Sequence, residues 1–351
     1  MLSDRMKRLV PYTPGEQPQD RKYLKLNTNE NPFPPSPRIK TFLDHFDIER
    51  LRLYPDPLSE KLRDKLALRD GLNKKQVFVS NGSDEALSFC FYAFFGSEKG
   101  HLLFPQITYS FFPVYCSFYN IAFEPIPLND DFTIDITKFI QRTGCGVVLA
   151  NPNAPTGIAL SLERITDLLE NYPQEKVVLI DEAYVDFGAE SAAGLIHQFP
   201  NLVVVRTFSK SMSLAGLRLG FVLSSEALIS ALFTVKDSFN SYPVDLLSQM
   251  IAEIALSDEA YYQALRNEII AVREDFSASL VDLGWSVLPS KANFVFACKS
   301  GVPGREVYLE LKKRGILVRY FDGERTKDFV RITIGKREDM ERLTQEIRKA
   351  F

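Results

Sequence analysis

Residues Val203–Gly220, VVVRTFSKSMSLAGLRLG, place a lysine where it can do chemistry. Val203, Val204 and Val205 read as a buried strand. The chain leaves that strand through Thr207, Ser209, Ser211 and Ser213 toward Gly216, Arg218 and Gly220. Lys210 therefore sits just past a strand end. A lysine that is partly desolvated and near other cations loses proton affinity and becomes an amine nucleophile toward a carbonyl. Arg218 adds a fixed positive charge suited to a phosphate. Taken alone, the stretch fits an exposed loop lysine with a nearby arginine equally well, so the decision rests on the rest of the chain.

Outward from it, the same arrangement recurs. Val77–Ser80 reads as a strand running into Asn81-Gly82-Ser83-Asp84 and a helix over Ala86–Phe95. Gly146–Ala150 runs into NPNAPTG (Asn151–Gly157) and a helix over Leu160–Tyr172, and Val177–Ile180 runs into Asp181–Tyr184. His101–Phe104 and Ile121–Ile126 read as further strands, with a helix or turn over Phe111–Tyr119 between them. Strands alternating with helices imply an α/β fold with right-handed βαβ units and a mostly parallel, doubly wound sheet. Ligands bind such sheets at the carboxyl ends of the strands. The four polar clusters are thus expected to converge on one edge.

A helical region is expected from Ser224 to about Leu283, interrupted at Tyr242-Pro243. Beyond it, strands at Ala292–Ala297, Ile316–Tyr320 and Phe329–Ile334 and helices at Gly304–Arg314 and Glu338–Lys349 suggest a smaller α+β domain. The proline-rich first forty residues read as an extended arm, with helices expected over Arg38–Phe46 and Ser59–Leu68. The expected division is 1–45 for the arm and part of the small domain, 46–245 for a large cofactor-binding domain, and 246–351 for the small C-terminal domain.

Composition narrows the class. With 351 residues, 45% apolar and 25% charged, the chain is an ordinary globular protein large enough for two subdomains. Lys plus Arg (42) nearly balances Asp plus Glu (45), so no field points to nucleic acid or membrane. No apolar run resembles a membrane span or signal peptide, and a cytoplasmic location is expected. The four cysteines and three histidines are scattered without ligand spacing, which disfavours a metal site or a Ser-His-Asp hydrolase.

Gly82 and Ser83 open a helix whose backbone N–H groups can bind an anion; with Ser209 and Arg218 they make a phosphate cup. Asp181 is carried to the end of a buried strand, where a carboxylate calls for a cation. Phosphate cup, lysine amine, buried carboxylate and Tyr184 together specify pyridoxal 5′-phosphate. Lys210 would form the Schiff base and Asp181 would face the pyridinium, keeping the ring an electron sink. Tyr184 would bond the ring hydroxyl. Tyr109, in ITYSFF, is the candidate to stack on the ring, though it reads equally well as a core aromatic.

These residues resemble the fold-type I, aspartate aminotransferase-like pyridoxal-phosphate enzymes, and most closely the histidinol-phosphate aminotransferases. The matching segments are LNTNENP (Leu26–Pro32), YPDP (Tyr54–Pro57), NGSDEA (Asn81–Ala86), NPNAPTG, DEAYVDF (Asp181–Phe187), RTFSKSMSLAGLRLGF (Arg206–Phe221) and VRITIG (Val330–Gly335). The resemblance implies that Lys210 is the Schiff-base lysine and proton shuttle, that Asp181 pairs with the pyridine nitrogen, and that Ser83, Asp84, Ser209 and Arg218 surround the phosphate. It implies that Arg331 grips the substrate carboxylate. A dianionic phosphate substrate calls for more than one cation, and Arg319 is suitable, though it reads equally well as a surface salt bridge; Asn29 is a further candidate substrate contact. Tyr54 resembles the tyrosine that reaches the partner subunit's cofactor phosphate, implying a homodimer with shared sites. Where many relatives carry asparagine before Pro-Thr-Gly this chain has Ala154, and Asn153 is the nearest candidate to replace it. The expected partners are a small-molecule amino donor and a 2-oxo acid acceptor. An aromatic or broad-range aminotransferase and a phosphothreonine-type decarboxylase are the alternatives on this scaffold. A non-catalytic, cofactor-binding regulator would need a nucleic-acid-binding segment that the chain does not show.

Overall fold

The computed structural model describes residues 2–3, 6–7, 9–96, 98 and 100–351. A short strand β1 (Leu24–Lys25) lies in the N-terminal arm. Strands β2 (Val77–Asn81), β3 (His101–Pro105), β4 (Phe123–Ile126), β5 (Gly144–Ala150), β6 (Val177–Asp181), β7 (Leu202–Thr207) and β8 (Leu219–Ser224) form one sheet in the order β2-β8-β7-β6-β5-β3-β4. The strands from β7 to β4 run parallel, as the βαβ pattern predicts. Both faces are covered, so the strands are apolar throughout rather than alternating with polar residues. Val147, Leu149, Val178, Ile180 and Val204 enter one core, while Val148, Leu179, Val203 and Val205 enter the other.

The expected pattern contains no strand between Arg218 and Ser224. The structure places β8 there, antiparallel to both β7 and β2. This reversal brings Gly220 against the turn that follows β2. A Cβ on Gly220 would lie 2.4 Å from the Ser83 backbone nitrogen, so only glycine lets the two segments approach this closely.

The expected helical region is broken twice, not once. Helices run over Glu226–Phe239, Leu246–Leu256 and Glu259–Asp282. The second break falls at Ser257-Asp258, because the Asp258 carboxylate is engaged by Ser36 Oγ and by Arg38 rather than facing solvent on a helix. Strands β9 (Trp285–Val287), β10 (Phe294–Lys299), β12 (Arg319–Tyr320) and β13 (Phe329–Thr333) form an antiparallel sheet, order β12-β13-β10-β9, of which β9 was not expected. The expected strand Ile316–Tyr320 divides at Val318: β11 (Ile316–Leu317) pairs with β1, while β12 pairs with β13. Through β1 the arm joins this C-terminal region, and Leu26 is buried in its core. No helix among the described residues is long and apolar enough to cross a membrane.

Candidate active site

The four strand-following clusters do converge. With the arm and the C-terminal sheet they enclose a cleft of about 330 Å³, lined by Ser83, Asp84, Ala154, Asp181, Tyr184, Ser209, Lys210 and Arg218, among others. Lys210 enters from the loop after β7. Its Nζ donates to the Thr28 carbonyl at 3.3 Å and lies 5.8 Å from the centre of the Tyr184 ring. Asn31 Nδ2 donates to the Lys210 carbonyl at 3.0 Å, so the arm clamps this loop in place.

Asp181 ends β6 and is 6% exposed. Burial pushes its carboxyl up from an ordinary 3.8 to about 7, opposed by a bond from the Ala183 N–H and reinforced by the nearby Asp84 and Glu182 carboxylates. A group so placed is a carboxylate in want of a cation.

One end of the cleft is formed by the β2–helix turn and the start of β8. Gly82 begins the helix Gly82–Phe94 with φ +79°, and a Cβ there would lie 2.7 Å from Arg218 Nη2. Arg218 itself adopts φ +51°, a left-handed conformation costing about 1 kcal/mol for a non-glycine residue, which directs its side chain to this turn. Arg218 Nη2 donates to Asp84 Oδ2 at 3.1 Å, and Tyr109 Oη donates to Asp84 Oδ1 at 2.9 Å. Burial first and then Asp84 hold the Tyr109 phenol neutral, far above its ordinary range.

Opposite lie Arg319 and Arg331, directly across from each other on β12 and β13. Like charges in that register repel unless an anion joins them. Among the described residues neither has a carboxylate within 4.0 Å. Arg319 donates to the Thr13 and Pro14 carbonyls at 3.1 and 3.2 Å, and Arg331 Nη2 donates to the Asn27 carbonyl at 3.1 Å. Arg331 Nε is buried without a partner, an unmet donor at the cleft. Desolvation lowers the proton affinity of Arg331, and neighbouring Arg319 lowers it further.

Asn29 also lines the cleft. Its Nδ2 donates to the Tyr184 hydroxyl at 2.9 Å, which leaves the phenol its own proton to donate. Two expected residues stand apart. Asn153 does not line the cleft: its amide donates to the Ile107 carbonyl and to Thr156 Oγ1 at 2.9 and 3.1 Å, whereas Ala154 is the residue facing inward. Its chain position beside Ala154 is no substitute for direction. Tyr54 is 83% exposed and stacks on Tyr242 at 4.7 Å, outside its own chain's cleft. The sequence reading missed Tyr12, Thr28 and Phe321, which also line the cleft. Thr28 lies within the polar LNTNENP segment, which is a local signal. Tyr12 and Phe321 carry no local signal.

The family model for aminotransferases of class I and II matches residues 21–347. The chain belongs to this family. It is 59% identical to the histidinol-phosphate aminotransferase of Syntrophus aciditrophicus (strain SB), covering 100% of this chain and 98% of that one. It is 49% identical to the enzyme of that name from Chromohalobacter salexigens, covering 98% and 97%. In fold it is similar to the histidinol-phosphate aminotransferase of Sinorhizobium meliloti in complex with pyridoxal-5′-phosphate. The TM-score is 0.88 at 22% identity, over 99% of this chain and 98% of that one.

Aminotransferases of this family use pyridoxal 5′-phosphate, and the residues of this aminotransferase fit that group. The glycine turn at Gly82 leaves the space a Cβ would fill beside Arg218, suiting a phosphate. The raised Asp181 carboxyl suits a protonated ring nitrogen, and the Tyr184 hydroxyl suits a ring oxygen.

Proposed function

We propose that this aminotransferase exchanges an amino group between glutamate and 2-oxoglutarate on one side and histidinol phosphate and imidazole-acetol phosphate on the other, a step of histidine biosynthesis. The observation that carries the choice of substrate is the facing pair Arg319 and Arg331, which among the described residues has no carboxylate within 4.0 Å and calls for a strongly anionic ligand. The full-length identity to enzymes of that name supports the same reading. Single-turnover spectra of the cofactor-loaded enzyme with a panel of amino donors test it. Histidinol phosphate is expected to react at lower concentration than tyrosine or phenylalanine; the reverse order would favour an aromatic aminotransferase.

When bound, pyridoxal 5′-phosphate supplies an electron sink for the charge left as a proton leaves the substrate's amino-bearing carbon. In our reading Lys210 Nζ tethers the cofactor, takes that proton and returns it to the opposite end of the same bond system. Asp181 holds the ring nitrogen's proton, Tyr184 and Asn29 secure the ring oxygen, and Tyr109 flanks the ring. Ser83, Ser209, Arg218 and the backbone at Gly82 hold the phosphate, while Asp84 orients Arg218 and Tyr109. Arg331 grips the substrate's anionic end in both half-reactions. The expected division at 45/46 and 245/246 would then put the cofactor residues other than Asn29 on the large domain and the substrate arginines on the small one. We place the enzyme in the cytoplasm with its substrates.

Arg331→Lys is expected to raise the apparent KM for both substrates by roughly 10- to 100-fold, because a point-charge ammonium cannot reproduce the bidentate fork. Steady-state kinetics of the two half-reactions check this. If only the glutamate half-reaction suffers, the phosphate is held elsewhere, with Arg319 the first residue to test.

The exposed Tyr54 supports a homodimer in which each subunit completes its partner's phosphate site. Mixing the inactive variants Tyr54→Ala and Lys210→Ala under conditions of subunit exchange is expected to restore part of the activity, since one pocket per heterodimer keeps both residues. No recovery despite demonstrated exchange would return Tyr54 to its own subunit.

A further inference from the structure

Behind the cleft wall the chain alternates. Asp181 and Lys210 line the cleft, while their successors Glu182 and Ser211, each 2% exposed, belong to a buried polar cluster on the other side of the backbone. Its centre is Arg206, on β7 and 8% exposed. One nitrogen of this guanidinium bonds an oxygen of Asp186, whose second oxygen accepts from Ser211 Oγ. Arg206 Nη1 donates to Asp70 Oδ1 at 3.1 Å, at the end of the helix Glu60–Arg69, and Nε lies 3.9 Å from Glu182 Oε2. Glu182 also accepts from Ser191 Oγ and from the Ala192 N–H, both at 2.6 Å. One cation therefore ties together the turn that follows Asp181 and the loop that carries Lys210.

We propose that Arg206, acting through Asp186 and Ser211 on one side and Glu182 on the other, is a positioning residue that sets Lys210 relative to Asp181. It touches neither the substrate nor the cofactor. A burial of this kind is costly unless every charge is met, so a merely structural role would be served as well by apolar packing. The adjoining crevice, lined by Arg206, Asp186 and Ser211, measures about 10 Å³, room for no more than one water. Asp186 stays in the charged form: burial raises its carboxyl, but Arg206 and the Ser211 hydroxyl outweigh that and hold it below the usual range. The anchor on the Lys210 loop is thus a charge-assisted hydrogen bond one residue away from the reacting amine.

The inference rests on Lys210 being the cofactor-bonded residue, and the experiment separates the two. Wild type, Ser211→Ala, Ser211→Thr, Asp186→Asn and Lys210→Ala are loaded with pyridoxal 5′-phosphate. For each, kcat, KM, the pH midpoint of the bound cofactor's visible band and the unfolding temperature of the apoprotein are recorded. Ser211→Ala and Asp186→Asn are expected to lose roughly 10- to 100-fold in kcat, the scale of a small misplacement of a reacting group, with KM changed less than about threefold. The pH midpoint of the band is expected to move in both, and Ser211→Thr to restore kcat and midpoint. If wild type shows no pH-dependent band, or Lys210→Ala keeps it, the assignment of Lys210 fails. With those controls in order, unchanged kcat and midpoint in Ser211→Ala and Asp186→Asn overturn the positioning role. So does a loss of activity that merely follows apoprotein unfolding and is not restored by Ser211→Thr.

Discussion

Lys210→Ala is expected to lose transamination by roughly 10⁴-fold or more, the upper end of what a positioned general base contributes, because the same nitrogen also tethers the cofactor. The phosphate site is built from other segments, at Gly82–Asp84 and Ser209–Arg218, so the variant should still take up pyridoxal 5′-phosphate. Equilibrium dialysis would show that uptake, and a single-turnover assay without added amine would show the loss. More than a trace of turnover in that assay would remove Lys210 from its role. The clamp by Asn31 falls on the Lys210 backbone carbonyl and survives the substitution, which removes only the bond from Nζ to the Thr28 carbonyl, so the fold should survive.

Asp181→Asn carries the second large effect. An ion pair between this carboxylate and a ring cation at about 4 Å is worth roughly 4 kcal/mol at an effective dielectric of 20. Realised wholly in the transition state, that is about three decades in kcat. Stability supplies a second readout with a defined sign. The Asp181 carboxyl titrates near 7 in the folded apoprotein against an ordinary 3.8, so between those values the folded state holds a proton that the unfolded chain releases. Apoprotein stability therefore falls as pH rises from about 4 to about 7, by up to roughly 4 kcal/mol at 1.36 kcal/mol for each pH unit. Asparagine carries no proton to lose. The apo form of Asp181→Asn should accordingly outlast apo wild type on heating at pH 8, with a smaller difference at pH 5, while its holoenzyme turns over slowly. Near wild-type turnover would rule out the ring-nitrogen role, and a stability gap independent of pH would place the titrating group elsewhere.

The sheet from β3 to β7 and the set of residues at its strand ends were legible because they rest on local patterns. A buried parallel strand is continuously apolar, the polar residues that follow it mark its carboxyl end, and parallel βαβ geometry sends those ends to one edge. Asp181, Lys210 and Ser83 could be placed at the cleft on that ground alone. What lies across it depends on long-range pairing. The register of β12 against β13 puts Arg319 opposite Arg331, and β8, unseen in the sequence, brings Arg218 back to Gly82. Nothing in the neighbourhood of Tyr12 or Phe321 announces that either lines the cleft. Adjacency in the chain also misled at Asn153, where the backbone turns Ala154 inward and spends the Asn153 amide on Ile107 and Thr156. By itself, then, the sequence determined the α/β class, the edge where the cleft lies and the lysine and carboxylate upon it, since each follows from residues within one strand-loop unit. Only the tertiary structure decided how the arginines face one another and how Arg206 joins the loops of Asp181 and Lys210 from behind, because those contacts unite segments whose separation no local periodicity encodes.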